Sequence, residues 1–142
     1  MRISRNALSW AMLVVVIVGL VVSAYLSYLS LVPATSCPIG EFSIFSCNAV
    51  ISSQYAHIYG ISVALLGLGW FIIAFGLILM ARRDARFIRA LVAWSVLGAL
   101  GVAGFVYTEI FLVRYVCPFC TIAHVMGLAI LALSIASMRL PS

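Results

Sequence analysis

Residues 7–31 read ALSWAMLVVVIVGLVVSAYLSYLSL, a stretch without one charged side chain. About 20 apolar residues in a helix cross the hydrocarbon core of a bilayer, so this stretch reads as a membrane span that Pro33 closes. Three more uncharged stretches follow, from about Tyr59 to Ala81, Ala90 to Thr108 and Cys117 to Met138. In lipid each backbone N–H and C=O must be bonded within its own segment, which predicts an α-helix for each. Four helices of this length pack as a bundle. The expected fold class is therefore all-α integral membrane, a four-transmembrane-helix bundle forming one domain over residues 1–142.

Composition points the same way. Of the 142 residues, 66% are hydrophobic and 8% charged, with a mean hydropathy of +1.29. A soluble domain needs about a quarter charged residues to cover its surface. The formal charge of +5 does not indicate nucleic acid, because all eight basic residues are arginines placed at the ends of apolar runs. Arg2, Arg5, Arg82, Arg83, Arg86, Arg89 and Arg139 fall on one side of the membrane and only Arg114 on the other. The positive-inside rule then sets both termini in the cytoplasm, N-in and C-in. The apolar run of the first segment exceeds the 7–15 residues of a signal-peptide core, so it is expected to stay as a span. All four cysteines then lie on the outer, periplasmic face of the cytoplasmic (plasma) membrane, where disulfides persist.

The one sizeable loop, Val32 to Ile58, carries Cys37, Glu41, Cys47 and Asn48. From Ser46 to His57, the spacing of Val50, Ile51, Tyr55 and Ile58 predicts a short helix on the outer surface, capped by Ser46 or Asn48. Gly67, Gly69, Gly76, Gly98, Gly101 and Gly104 read as packing positions that let helices approach closely.

The chemistry concentrates in Cys117-Pro118-Phe119-Cys120, entering the last helix. A thiol at a helix N-terminus is expected to have a lowered pKa, which makes Cys117 the exchanging sulfur. Pro118 suits the first helical position. Cys120 lies one turn deeper, where a lipid-soluble two-electron acceptor, a quinone, would reach it. Nine residues lie between Cys37 and Cys47. Closed, they would constrain the loop by roughly 3 kcal/mol as a structural disulfide, or they would serve as a mobile dithiol pair feeding the fixed one. A small scaffold with structural disulfides, a Cys₄ zinc site and a thiolate metal carrier all remain open at this point. His124, four residues after Cys120, is a candidate proton or hydrogen-bond donor to a quinone, or a packed polar residue. Glu109 and Arg114 read as solvated interface charges. Phe111, Tyr115 and Phe119 read as aromatic-belt residues first and quinone-pocket walls second.

The Cys37…Cys47-Asn48-x-Val50 loop, Ser53, Tyr55, Gly60-Ile61 and Cys117-Pro118-Phe119-Cys120 together resemble the vitamin K epoxide reductase family, microbial branch, over nearly the whole chain. The resemblance implies a bundle around a quinone, of ubiquinone or menaquinone type, with Ser53 near its pocket. It implies that Cys120 reacts with the quinone, that Cys117 exchanges with Cys47, and that Cys37 pairs with Cys47. It further implies that the loop pair takes electrons from a thioredoxin-fold disulfide carrier, supporting disulfide formation in exported proteins. The chain lacks the second-helix asparagine of vertebrate members and has His124 where they have tyrosine, so quinone reduction is expected rather than epoxide reduction. With 142 residues the carrier is expected in trans. The DsbB type, the other four-helix quinone-linked disulfide generator, has its Cys-x-x-Cys in the first outer loop, the reverse of the order here.

Overall fold

The computed structural model describes residues 4–32 and 45–140. Its elements in chain order are α1 (Arg5–Leu31), α2 (Cys47–Ile51), a 3₁₀ turn (Gln54–Ala56), β1 (His57–Ile58), β2 (Ile61–Ser62), α3 (Val63–Arg83), α4 (Arg86–Tyr107), a π-helical turn (Thr108–Val113) and α5 (Pro118–Arg139). Four helices are long and apolar enough to span a bilayer: Arg5–Leu31, Val63–Arg83, Arg86–Val113 and Pro118–Arg139. The protein is a multi-pass membrane protein, as its hydropathy predicts. α1 packs against α3 and α5, and α4 closes the ring against α3 and α5.

Local chemistry sets the helix ends. Ser4 caps α1 by accepting from the Ala7 N–H at 3.2 Å, and the Asp84 carboxylate accepts from the Arg86 N–H at 2.9 Å at the start of α4. The second span begins at Val63 rather than Tyr59, because residues 57–62 fold into a small hairpin pairing His57 with Ser62 and Ile58 with Ile61. Its two-residue turn holds Tyr59 at φ 52° and Gly60 at φ 80°, the left-handed pair a tight hairpin demands. Ser62 then caps α3 and accepts from the Ser30 hydroxyl of α1 at 2.7 Å, which ties the hairpin's exit to the first helix.

The two halves of the bundle differ. Towards the end where α1 and α4 begin and α3 and α5 finish, Met12, Val16, Ala74, Ile78, Leu91 and Ile130 form a tightly buried core. That same end carries Arg5, Arg82, Arg83, Arg86, Arg89 and Arg139, with the Arg82 guanidinium 4.7 Å from the Trp10 ring centroid. The middle is clamped by two tryptophans: Trp70 Nε1 donates to the Trp94 carbonyl at 3.3 Å and Trp94 Nε1 donates to the Trp70 carbonyl at 3.1 Å. Of the six glycines singled out in the sequence, Gly98 is the one pressed against this clamp, since a Cβ there would overlap the Trp70 ring. Gly69, Gly76 and Gly104 face open space, so close helix approach explains one position rather than a stripe.

Candidate active site

Two backbone contacts at the opposite end bring distant sulfurs together. Phe45 forms a parallel bridge with Val116, and the Ser46 N–H donates to the Val116 carbonyl at 3.1 Å. Cys47 follows Ser46, and Cys117 follows Val116. Ser46 also caps α2 by accepting from the Ala49 N–H at 3.2 Å, so Cys47 is the first residue of that helix. Cys117 in turn caps α5, its sulfur accepting from the Cys120 N–H at 3.4 Å, with Pro118 at the first position. The outcome is a Cys117 Sγ to Cys47 Sγ distance of 2.9 Å between residues 70 apart in sequence. Both are buried, and with Leu26 they form an apolar cluster against which Val22, Val50, Ile51 and Phe119 pack. The short loop helix is present and capped by Ser46, not by Asn48. Cys37 lies outside the described residues.

Beside this cluster a cavity of about 270 Å³ opens between α3, α4 and α5, roofed by α2 and the 3₁₀ turn. Its walls are mainly apolar, including Leu26, Val63, Trp70, Phe71, Val102 and Phe105. The polar groups on its walls are Ser23, Ser53, Tyr55, Ser62, Thr108, Glu109, Cys120 and His124. Leu66 of α3 and Leu97 of α4 both line it and are exposed on the outside of the bundle. An apolar chamber with a few polar groups on its walls suits a lipid-soluble ring compound. His124 reaches it stacked on Phe105, with ring centroids 6.3 Å apart and planes 12° apart. Ser53, Cys120 and His124, singled out in the sequence, thus share one chamber.

Phe111, Tyr115 and Phe119, expected as secondary pocket walls, lie outside that lining. Phe111 is 62% exposed and leans on Tyr107 at 5.0 Å, on the face of the π turn opposite Glu109. Tyr115 is 41% exposed in the segment leading to Cys117. Phe119 turns towards α1 and meets the Tyr25 ring edge-on at 5.3 Å, bracing the start of α5.

Glu109 is the residue that the sequence reading placed wrongly. It is no solvated interface charge, being only 6% exposed, and its Oε2 accepts from the Cys117 N–H at 3.4 Å. The π-helical turn that carries it widens the end of α4 and aims the carboxylate inward; such turns recur at functional sites. Arg114 ends the turn in left-handed conformation, φ 62°, so the chain doubles back and lays Val116 beside Phe45. The thiol of Cys117 also departs from expectation. Its pKa is raised above the ordinary cysteine range, first by the hydrogen bond with the Cys120 side chain and further by burial, against a lowering by Cys47. The helix N-terminus alone would have lowered it, but the Cys120 side chain, with burial adding to it, keeps the proton on.

A sulfur pair apposed across two segments, a third sulfur opening on an apolar chamber and four spans are features that suit a membrane thiol–disulfide oxidoreductase. The sequence model of the vitamin K epoxide reductase family matches residues 10–135. The chain belongs to that family, whose members are thiol–disulfide/quinone oxidoreductases working in membranes with quinones and thioredoxin-like redox partners. No individual curated protein matches it.

Proposed function

We propose that the protein passes electrons from a thioredoxin-fold carrier in trans, through Cys37 and Cys47 and then Cys117 and Cys120, to a quinone of ubiquinone or menaquinone type. In this reading it belongs to the microbial branch of its family and resides in the cytoplasmic membrane with its cysteines on the outer face. There it sustains disulfide formation in exported proteins. The observation that carries the reading is the 2.9 Å apposition of Cys47 and Cys117 while Cys120, on the same helix turn, opens on the chamber.

The relay runs by thiol–disulfide exchange. The carrier's thiolate attacks the Cys37–Cys47 disulfide at Cys37 and frees Cys47. Cys47 attacks Cys117 of the Cys117–Cys120 disulfide and releases Cys120 as a thiolate facing the chamber. The carrier's second thiol resolves its mixed disulfide with Cys37, and Cys37 then re-forms the bond to Cys47, leaving Cys117 and Cys120 reduced. Closing Cys117–Cys120 again releases two electrons and two protons, which convert quinone to quinol. Ser53 and His124 face the chamber as hydrogen-bonding partners for the two quinone oxygens, and the apolar walls hold the ring and exclude water. Cys37 enters through the family resemblance.

The test is quinol formation followed by absorbance, using purified protein in detergent, a soluble quinone and either a small dithiol or a reduced thioredoxin-fold carrier. Cys120→Ala is expected to abolish turnover with both reductants. Cys37→Ala should abolish it with the protein carrier alone. Full quinone reduction by Cys120→Ala would remove Cys120 as the sulfur nearest the acceptor.

A further inference from the structure

The relay leaves one proton without a route. When Cys117 and Cys120 close, an S–S bond forms, two S–H bonds break, and two electrons and two protons must reach the quinone. Cys120 opens on the chamber and has His124 one helical turn further along the same face. Cys117 does not: it is completely buried, 0% exposed, and is not part of the chamber lining. Its thiol is also held protonated by its surroundings.

Glu109 bridges that gap. It is a buried carboxylate in the turn that ends the third span, a placement that costs free energy unless the group is paired or hydrogen-bonded. Its Oε2 is hydrogen-bonded to the Cys117 backbone N–H, while the residue itself lines the chamber. Among the described residues no ion pair neutralises it. The titratable groups that face it are Cys117 through its backbone N–H and, in the chamber lining, Cys120 and His124 from α5 and Tyr55 from the 3₁₀ turn, while Tyr107, Arg114 and Tyr115 of its own segment are exposed. Arg114 is exposed beyond the turn. Glu109 is thus the carboxylate that meets both the backbone of the buried cysteine and the chamber.

We propose that Glu109 accepts the Cys117 thiol proton as the Cys117–Cys120 disulfide closes and passes it to one oxygen of the quinone, His124 serving the Cys120 side. This rests on the relay above. Electrons travel through sulfur, and the second proton travels through the carboxyl group.

Quinol formation in the same assay from pH 6 to 9 tests it with Glu109→Gln and Glu109→Asp. Gln keeps an acceptor for the Cys117 N–H but cannot carry a proton. Its expected rate is about 100-fold below wild type at pH 7, climbing with a slope near tenfold per pH unit as hydroxide takes over. Asp should restore part of the rate and the flatter wild-type profile. A Gln variant with the wild-type rate, or one slowed equally at every pH, would overturn the proposal and leave Glu109 an anchor for the Cys117 backbone. A second readout needs no quinone: alkylation of Cys117 by iodoacetamide in Cys47→Ala/Cys120→Ala protein. Glu109→Gln should slow it at pH 7, with the two rates converging at high pH; equal rates throughout would also overturn the assignment. If wild type makes no quinol at all, the relay fails and the alkylation comparison alone decides Glu109.

Discussion

Cys117 is at once the cap of α5, the neighbour of Cys47 and a fully buried thiol, and these three roles oppose one another. As a cap its sulfur faces backbone N–H groups that favour a thiolate. Burial and the Cys120 thiol win, and the proton is held more tightly than in an unfolded chain. A group whose pKa is raised on folding contributes its stabilisation below its unfolded pKa and loses it as pH rises. The reduced protein is therefore expected to show no change in stability from this thiol between pH 6 and 8. Above about pH 8.5, the ordinary cysteine value, it should lose up to about 1.4 kcal/mol of stability per pH unit. A Cys117→Ser variant should lack that decline, and thermal unfolding in detergent compares the two. An unchanged decline in the serine variant would assign it to another group.

α2 cannot stand alone. At five residues it lies far below the length at which an isolated helix persists in water. Its position comes from the Ser46 cap and from the Phe45–Val116 bridge beneath it, so the segment before Cys117 serves as the template for Cys47. The pairing of α3 with α4 rests instead on the reciprocal tryptophan bonds. Hydrogen bonds between membrane helices average about 0.6 kcal/mol and reach about 1.7. Trp70→Phe and Trp94→Phe are each expected to lower stability within that range. Because both bonds close one ring across the same contact, the double variant should cost less than the two changes added. A double-mutant cycle on melting in detergent measures this, and strict additivity would show that the bonds act separately.

Across the whole molecule, a packed half carrying six arginines faces a half that holds a chamber and three described cysteines. Stability and chemistry are thus separated along the membrane normal. The arginine end should lie in the cytoplasm. In protein with its native cysteines replaced by serine, Tyr59→Cys at the fully exposed hairpin tip should react with a membrane-impermeant maleimide in intact cells. Asp84→Cys, in the link between α3 and α4, should react only after the membrane is opened. The opposite labelling would turn the protein over and place its chemistry in the reducing compartment. Much of this frame was legible in the chain, because hydropathy and arginine placement are one-dimensional signals. Glu109 was not, although a signal existed: it is an acidic residue within an otherwise apolar helical extension, eight residues before Cys117.

What the amino-acid sequence by itself determined is the membrane class, the four spans and a short helix in the loop between the first two spans. Each of these follows from local composition, or from spacing within a few residues. Tertiary structure decided which sulfur meets which, since Cys47 and Cys117 are joined by a bridge between segments 70 residues apart. It decided that Phe111 and Tyr115 are exposed and Phe119 meets α1 while Trp70, Phe71 and Phe105 line the chamber, because an aromatic ring's facing depends on the rotation of its helix against its neighbours. It also buried Glu109. Only the π-helical turn and the left-handed Arg114 bring that carboxylate round to Cys117, a path set by packing across the bundle rather than by local residue preference.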